Sequence, residues 1–176
     1  VVAIGAYLND GGGTNSGHVR VYEKNNGTWT QIGSDIDGEA AYDYSGYSES
    51  GSAVSLSGDG SVVAIGAYAN DTNGVGNAGH VRLYKNNNGT WTQIGSDIDG
   101  ESSSDYSGYS ESGSAVSLSG DGSIVAIGAY LNDGNGGNSG HVRVYENNNG
   151  TWTQIGSDID GESSSDYSGW SVSLSD

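Results

Sequence analysis

The sequence of 176 residues contains no cysteine, proline, methionine or phenylalanine, and it carries only five lysines and arginines. Without cysteine there are no disulfides and no thiolate nucleophile, and thiols give no reading of redox compartment. Five cations against 22 acidic residues leave a formal charge of −17, which excludes nucleic acid as a partner because nothing could neutralise its phosphates. The same balance argues against anionic membrane surfaces and favours solubility or cation binding. No apolar run approaches the roughly 18 residues that would span a bilayer. Helix formers are scarce, with Lys24 and Lys85 the only lysines. No secretory leader is recognisable and the chain begins at Val1, so it is read as processed or as a piece of something longer.

What is present is repetition. Trp29, Trp91 and Trp152 each sit in NGTWTQIGSDIDGE, and His18, His80 and His141 each open GHVR. VVAIGAY at Val1 recurs at Val62 and, as IVAIGAY, at Ile124, so the repeats start at about 1, 62 and 124 within a single array over 1–176. A period of this length marks a stacked or radial array of supersecondary units. A catalytic centre normally occurs once, whereas every distinctive feature here occurs three times. Nor is there a Gly-x-Ser-x-Gly elbow in a strand-to-helix setting, a phosphate loop with lysine or an HExxH motif. The chain is therefore read as no enzyme.

Each repeat divides into four segments of strand composition: SAVSLS (Ser52–Ser57, Ser114–Ser119), VVAIGAY, HVRVY (His18–Tyr22 and copies) and GTWTQIG (Gly27–Gly33 and copies). Asn26-Gly27, Asn88-Gly89 and Asn149-Gly150 separate the third from the fourth, a strong hairpin signal because both residues tolerate positive φ. GDGS separates the first from the second. In VVAIGAY both alternating sets are apolar or small, which predicts a strand covered on both faces. HVRVY opposes Val19 and Val21 to Arg20 and Tyr22, which predicts a more peripheral strand. Sheets sandwiched between like sheets describe propeller blades. The expected fold is all-β, a β-propeller of ~61-residue, four-stranded antiparallel blades, of which this chain holds three. The ring would be completed by another chain or a longer parent. SVSLS at Ser171–Ser175 would be a last strand that pairs with a first-blade equivalent.

SGWSVSLS (Ser168–Ser175), DGSVVAIGAY (Asp59–Tyr68) and GHVRVY (Gly17–Tyr22) together resemble the FG-GAP repeat of integrin-α-type β-propellers. The resemblance extends over each whole repeat and implies the propeller. Ala6-Tyr7, Ala67-Tyr68 and Ala129-Tyr130 stand where that family has Ala-Pro, and the family's calcium loop is shortened to Ser-Gly-Asp-Gly-Ser. The family's own calcium sites therefore do not carry over.

A different set of carboxylates is the candidate for calcium: Asp35, Asp37 and Glu39, with Asp97, Asp99 and Glu101, and Asp158, Asp160 and Glu162. Closely spaced carboxylates at a glycine turn can converge on a hard cation, which needs six to eight oxygens. The competing reading is an acidic, solvated loop at a strand end. The three histidines fall in different blades and are expected at strand starts with local partners. The tryptophans are expected to pack between blades, while the DYSGY and DYSGW aromatics are candidates for stacking sugars. Asn26, Asn70, Asn88 and Asn149 satisfy the N-glycosylation pattern. These features predict an extracellular or cell-surface structural or adhesive scaffold, associating with itself or with other extracellular macromolecules. The alternative is a lectin-like propeller with one glycan site per blade.

Overall fold

A computed structural model describes residues 1–47, 53–71, 76–101 and 115–175. The first blade contains β1 (Val2–Ala6), β2 (His18–Asn25), β3 (Thr28–Gln31) and β4 (Ile36–Asp37). The middle blade contains β5 (Val54–Leu56), β6 (Val62–Ala67), β7 (His80–Asn87), β8 (Thr90–Gln93) and β9 (Ile98–Asp99). The last contains β10 (Val116–Leu118), β11 (Ile124–Ala129), β12 (His141–Asn148), β13 (Thr151–Gln154) and β14 (Ile159–Asp160). No described residue is helical, every ladder is antiparallel, and the three sheets are propeller-like blades that do not close a ring.

Local chemistry sets the hairpins. Asn26 and Gly27 take φ of 49° and 89°, and the Asn88-Gly89 and Asn149-Gly150 pairs do the same. That is the left-handed geometry a two-residue hairpin between right-twisted strands requires. In the GDGS turn, Asp59 accepts the Ser61 N–H at 2.9 Å and the Ser57 hydroxyl at 2.8 Å. Asp121 repeats this with Ser123 and Ser119. These bonds hold both carboxyls below their usual range, Asp121 at about 2.

The fourth predicted strand, Gly27–Gly33, is found as β3, and β4 follows it as a further short strand that the sequence did not suggest. β3 pairs with the far half of β2 (Tyr22↔Gln31 to Asn25↔Thr28), whereas β4 pairs with its start (His18↔Asp37, Val19↔Ile36). Between them the chain turns at Gly33, whose φ is 74°. A Cβ there would meet the carbonyl of Gly89 and the indole of Trp91 from the middle blade. The glycine suits its own positive φ, which Gly95 and Gly156 share at the equivalent turns, and at Gly33 the neighbouring blade also leaves no room for a Cβ.

The core lies between sheets. Val63 and Ile65 of β6 pack with Val19, Val21 and Ile36 of the first blade. Val62 and Ala64, on the opposite face of the same strand, pack with Val125 and Ile127 of the last blade. β6 is thus buried throughout, as its two apolar faces predicted, whereas the same expectation for β1 is corrected: Ile4 and Gly5 are exposed, because no described blade lies against that face. HVRVY, expected as a more peripheral strand from its alternation, nonetheless buries Arg82 and Arg143, because that face of β7 and β12 lies against the preceding blade. The predicted strand at 171–175 forms no ladder with β1 among the described residues. Instead the Leu174 N–H donates to Ser117 Oγ at 3.0 Å, as the Leu118 N–H donates to Ser55 Oγ at 3.0 Å. The segment therefore lies beside β10 as β10 lies beside β5.

Candidate functional site at the blade junctions

The break between β3 and β4 places an acidic residue inside each blade. Asp35 sits on the turn and faces the first residues of β2. Its Oδ1 accepts from Arg20 Nε at 2.9 Å and from Gln31 Nε2 at 2.7 Å, and its Oδ2 accepts from Arg20 Nη2 at 2.8 Å. These donors hold the Asp35 carboxyl at about 2. His18, at the start of β2, brings Nδ1 to 3.5 Å from Asp35 Oδ2. His80 and Asp97 repeat this at 3.5 Å, and His141 and Asp158 at 3.7 Å. Gln93 and Gln154 hold Asp97 and Asp158 as Gln31 holds Asp35.

A second acid arrives from the blade before. Glu39 meets His80 and Asp97, and Glu101 meets His141 and Asp158, each group offering ligand atoms within 4.8 Å of one another. In the first blade the third member is Asp37, from the same sheet as His18 and Asp35. Burial pushes His80 down to about 4, with the Arg82 charge adding to the effect and Asp97 opposing it. The clusters are mixed: an imidazole, two carboxylates and a guanidinium close by. Arg82 Nη2 donates to the Asp37 carbonyl at 3.2 Å, and Arg143 Nη2 to the Asp99 carbonyl at 2.8 Å. Arg143 Nη1 also lies 3.4 Å from Glu101. Trp91 Nε1 donates to the Ile32 carbonyl at 2.8 Å and Trp152 Nε1 to the Ile94 carbonyl at 2.9 Å. Each junction is therefore locked by an indole, a guanidinium and an acid–histidine cluster.

The acidic triplets are divided by this arrangement. Asp35, Asp97 and Asp158 serve their own blades, while Glu39 and Glu101 reach into the next one. Asp37 and Asp99 contribute backbone carbonyls to the arginines. Asp160 and Glu162 close the last blade, where no further blade follows among the described residues. At the first junction a cleft is lined by Glu39, Asn70, Asp71, Ser96, Asp97 and Asp99, so oxygens from two blades face one space. These donors suit a hard cation such as calcium better than the histidine does, but Asp97 already accepts from Gln93.

The histidines begin β2, β7 and β12 in separate blades. Sequence reasoning assigned no role to Arg20, Arg82 or Arg143. The available signal was that three of only five cations occupy one repeat position in an acidic chain. Asn26, Asn88 and Asn149 sit at exposed hairpin tips, whereas Asn70 is buried. The tyrosines gather at blade ends: Tyr44 stacks on Tyr68 at 5.7 Å, and Tyr7 meets Tyr47 edge-on at 4.6 Å. In the last blade Tyr130 meets Trp170 edge-on at 4.6 Å, and both line a hollow with Leu131, Asp166 and Tyr167.

No curated protein matches the chain. Residues 102–145 match the family model of the FG-GAP repeat. That stretch includes β10, β11 and the opening of β12, and strands of the same sequence recur in the middle blade, consistent with an FG-GAP-like repeat.

Proposed function

We propose that the chain is an extracellular structural or adhesive module, not an enzyme: a stiff scaffold that presents the same acidic surface once per blade to protein partners or to other copies of itself. The supporting observation is the doubled junction lock, in which Trp91 with Arg82, and Trp152 with Arg143, tie each blade to the one before. Such ties fix the spacing of the repeated clefts, and fixed spacing turns several weak contacts into a strong one. Calcium is a ligand of the Glu39, Asp71, Asp97 and Asp99 cleft in this reading. Beads coated with the chain are expected to clump together or to adhere to surfaces coated with extracellular proteins, and more so in calcium. Beads that do neither would contradict the reading.

A second reading, one glycan site per blade, is favoured by the tyrosine clusters. Tyr44 and Tyr167 hold φ of 52° and 53°, a cost for an aromatic side chain that is common at ligand sites. Clustered aromatic rings beside an acid, as around Asp166, suit a sugar's apolar face and hydroxyls. Retention on a glycan array that is lost in Tyr167→Ala would favour this reading over the first.

A further inference from the structure

Each blade sets a buried imidazole in front of two carboxylates, at nearly the same spacing in all three. We infer that these clusters are sites for a divalent metal of the zinc type, and that the one between the first and middle blades clamps one blade to the next. The inference goes beyond the scaffold reading and does not depend on adhesion.

The imidazoles are placed as ligands. His80 is 1% exposed, and its Nδ1 stands 3.5 Å from Asp97 Oδ2. His18 Nδ1 stands 3.5 Å from Asp35 Oδ2 and 4.0 Å from Asp37 Oδ1, and His141 Nδ1 stands 3.7 Å from Asp158 Oδ2. N–H···O hydrogen bonds fall at about 2.7–3.2 Å. Two ligands of a tetrahedral zinc, each about 2.0–2.2 Å from the metal, lie roughly 3.3–3.5 Å apart. The observed separations are nearer the second. His18 Nδ1 is moreover buried with no hydrogen-bond partner. A buried polar atom left unpaired calls for an explanation, and a metal shared with the facing carboxylates supplies one.

The carboxylates are aimed in the same way. Gln93 Nε2 donates to Asp97 Oδ1 at 2.6 Å and leaves Oδ2 towards His80. Gln154 does this for Asp158 at 2.6 Å, and Gln31 for Asp35 at 2.7 Å. Outer hydrogen bonds that fix a carboxylate's orientation are a regular support of metal ligands. The third acid is Asp37 in the first blade, Glu39 in the middle one and Glu101 in the last, with ligand atoms within 4.8 Å of one another in each cluster. Imidazole with carboxylate favours zinc over calcium, which takes oxygens alone. Burial holds His80 at about 4, so above that pH the ring is in its neutral, ligating form.

The three sites are unequal. Arg20 spans both oxygens of Asp35, and Arg143 lies 3.4 Å from Glu101. Arg82 donates instead to the Asp37 carbonyl, and among the described residues neither Glu39 nor Asp97 pairs with an arginine. The middle cluster should therefore fill first, joining Glu39 of the first blade to His80 and Asp97 of the next. Glu39 and Asp97 also line the cleft assigned to calcium, whereas Asp71 lines that cleft without belonging to the histidine cluster.

The test is titration of the metal-free 176-residue chain with zinc alone, followed by calorimetry, thermal melts and NMR of its three imidazoles. Zinc is expected to raise the melting temperature and to shift the His80 ring signals first. Glu39→Gln, at an exposed position, should weaken the first zinc by at least about tenfold. His80→Gln should abolish it, with circular dichroism verifying the fold, and Asp71→Asn should leave it unchanged. Ring signals that do not move with zinc, or equal affinity in wild type and Glu39→Gln, would overturn the inference. Bead adhesion is read separately: its absence with zinc binding intact would sink the scaffold reading alone, and adhesion without zinc binding only this one.

Discussion

The sequence VVAIGA occurs twice, at 1–6 and at 62–67, and the two copies live in opposite surroundings. In the middle blade Ile65 is 2% exposed, whereas Ile4 at the equivalent place is 52% exposed. Trp91 bonds across to Ile32, while Trp29 is 52% exposed. Arg82 reaches the preceding blade, and Arg20, with no blade before it among the described residues, folds back onto Asp35. Identical residues thus have different duties according to what lies against them. The lesson is that a blade's faces derive their stability from neighbours, in the manner of a one-dimensional stack.

The comparison can be broken most sharply at the isoleucines. Ile65→Ala should cost about 2–5 kcal/mol in chemical denaturation, because it opens a cavity between sheets. Ile4→Ala should cost less than about 1 kcal/mol in the unassembled chain, because the side chain already meets water. Equal costs would show that β1 is covered.

Acid comes next. The folded chain holds His80 at about 4, against 6.5 for a free histidine. Between those values the unfolded chain takes up the proton and the folded one resists it, so stability falls as pH drops from about 6.5 to about 4. The size is on the order of 3 kcal/mol by the linkage of pKa to stability. His80→Gln should flatten the melting temperature across that window. Asp35 acts lower: its depressed pKa adds stability above about 3.8 that is lost as pH falls towards about 2.

The arginines sharpen the contrast at smaller scale. Arg143→Met removes a charged donor from the Asp99 carbonyl and from Glu101, and should cost about 2 kcal/mol. Arg20→Met removes a half-exposed pair and should cost less than about 1 kcal/mol. The indoles give the smallest effect: Trp91→Phe loses one hydrogen bond, about 1 kcal/mol, and Trp29→Phe should be neutral. Thermal melts of the paired variants check both.

Much of this was legible in the sequence because it rests on local chemistry. Asn-Gly fixes a hairpin wherever it stands, and the two apolar faces of Val62–Ala67 pointed to a strand able to be covered on both sides, which β6 is and β1 is not. The acid–histidine junctions were harder, because Glu39 and His80 are distant in sequence and meet only when sheets stack. The short strand after Gly33 was missed because Ile36 and Asp37 make only two residues and are a strand solely through pairing with the start of β2. Alternation set the arginine face of HVRVY apart from its valine face, but alternation does not tell whether a polar side chain meets water or a neighbour's carbonyl.

Backbone hydrogen exchange of the 176-residue chain, read separately on β1 and β6, puts the stacking of blades to its plainest test. β6, paired on both edges and covered on both faces, should be protected throughout, while the amides on the open edge of β1 should exchange orders of magnitude faster. Equal protection of the two VVAIGA copies would contradict the claim that neighbouring blades, and not the repeat's own sequence, close its faces.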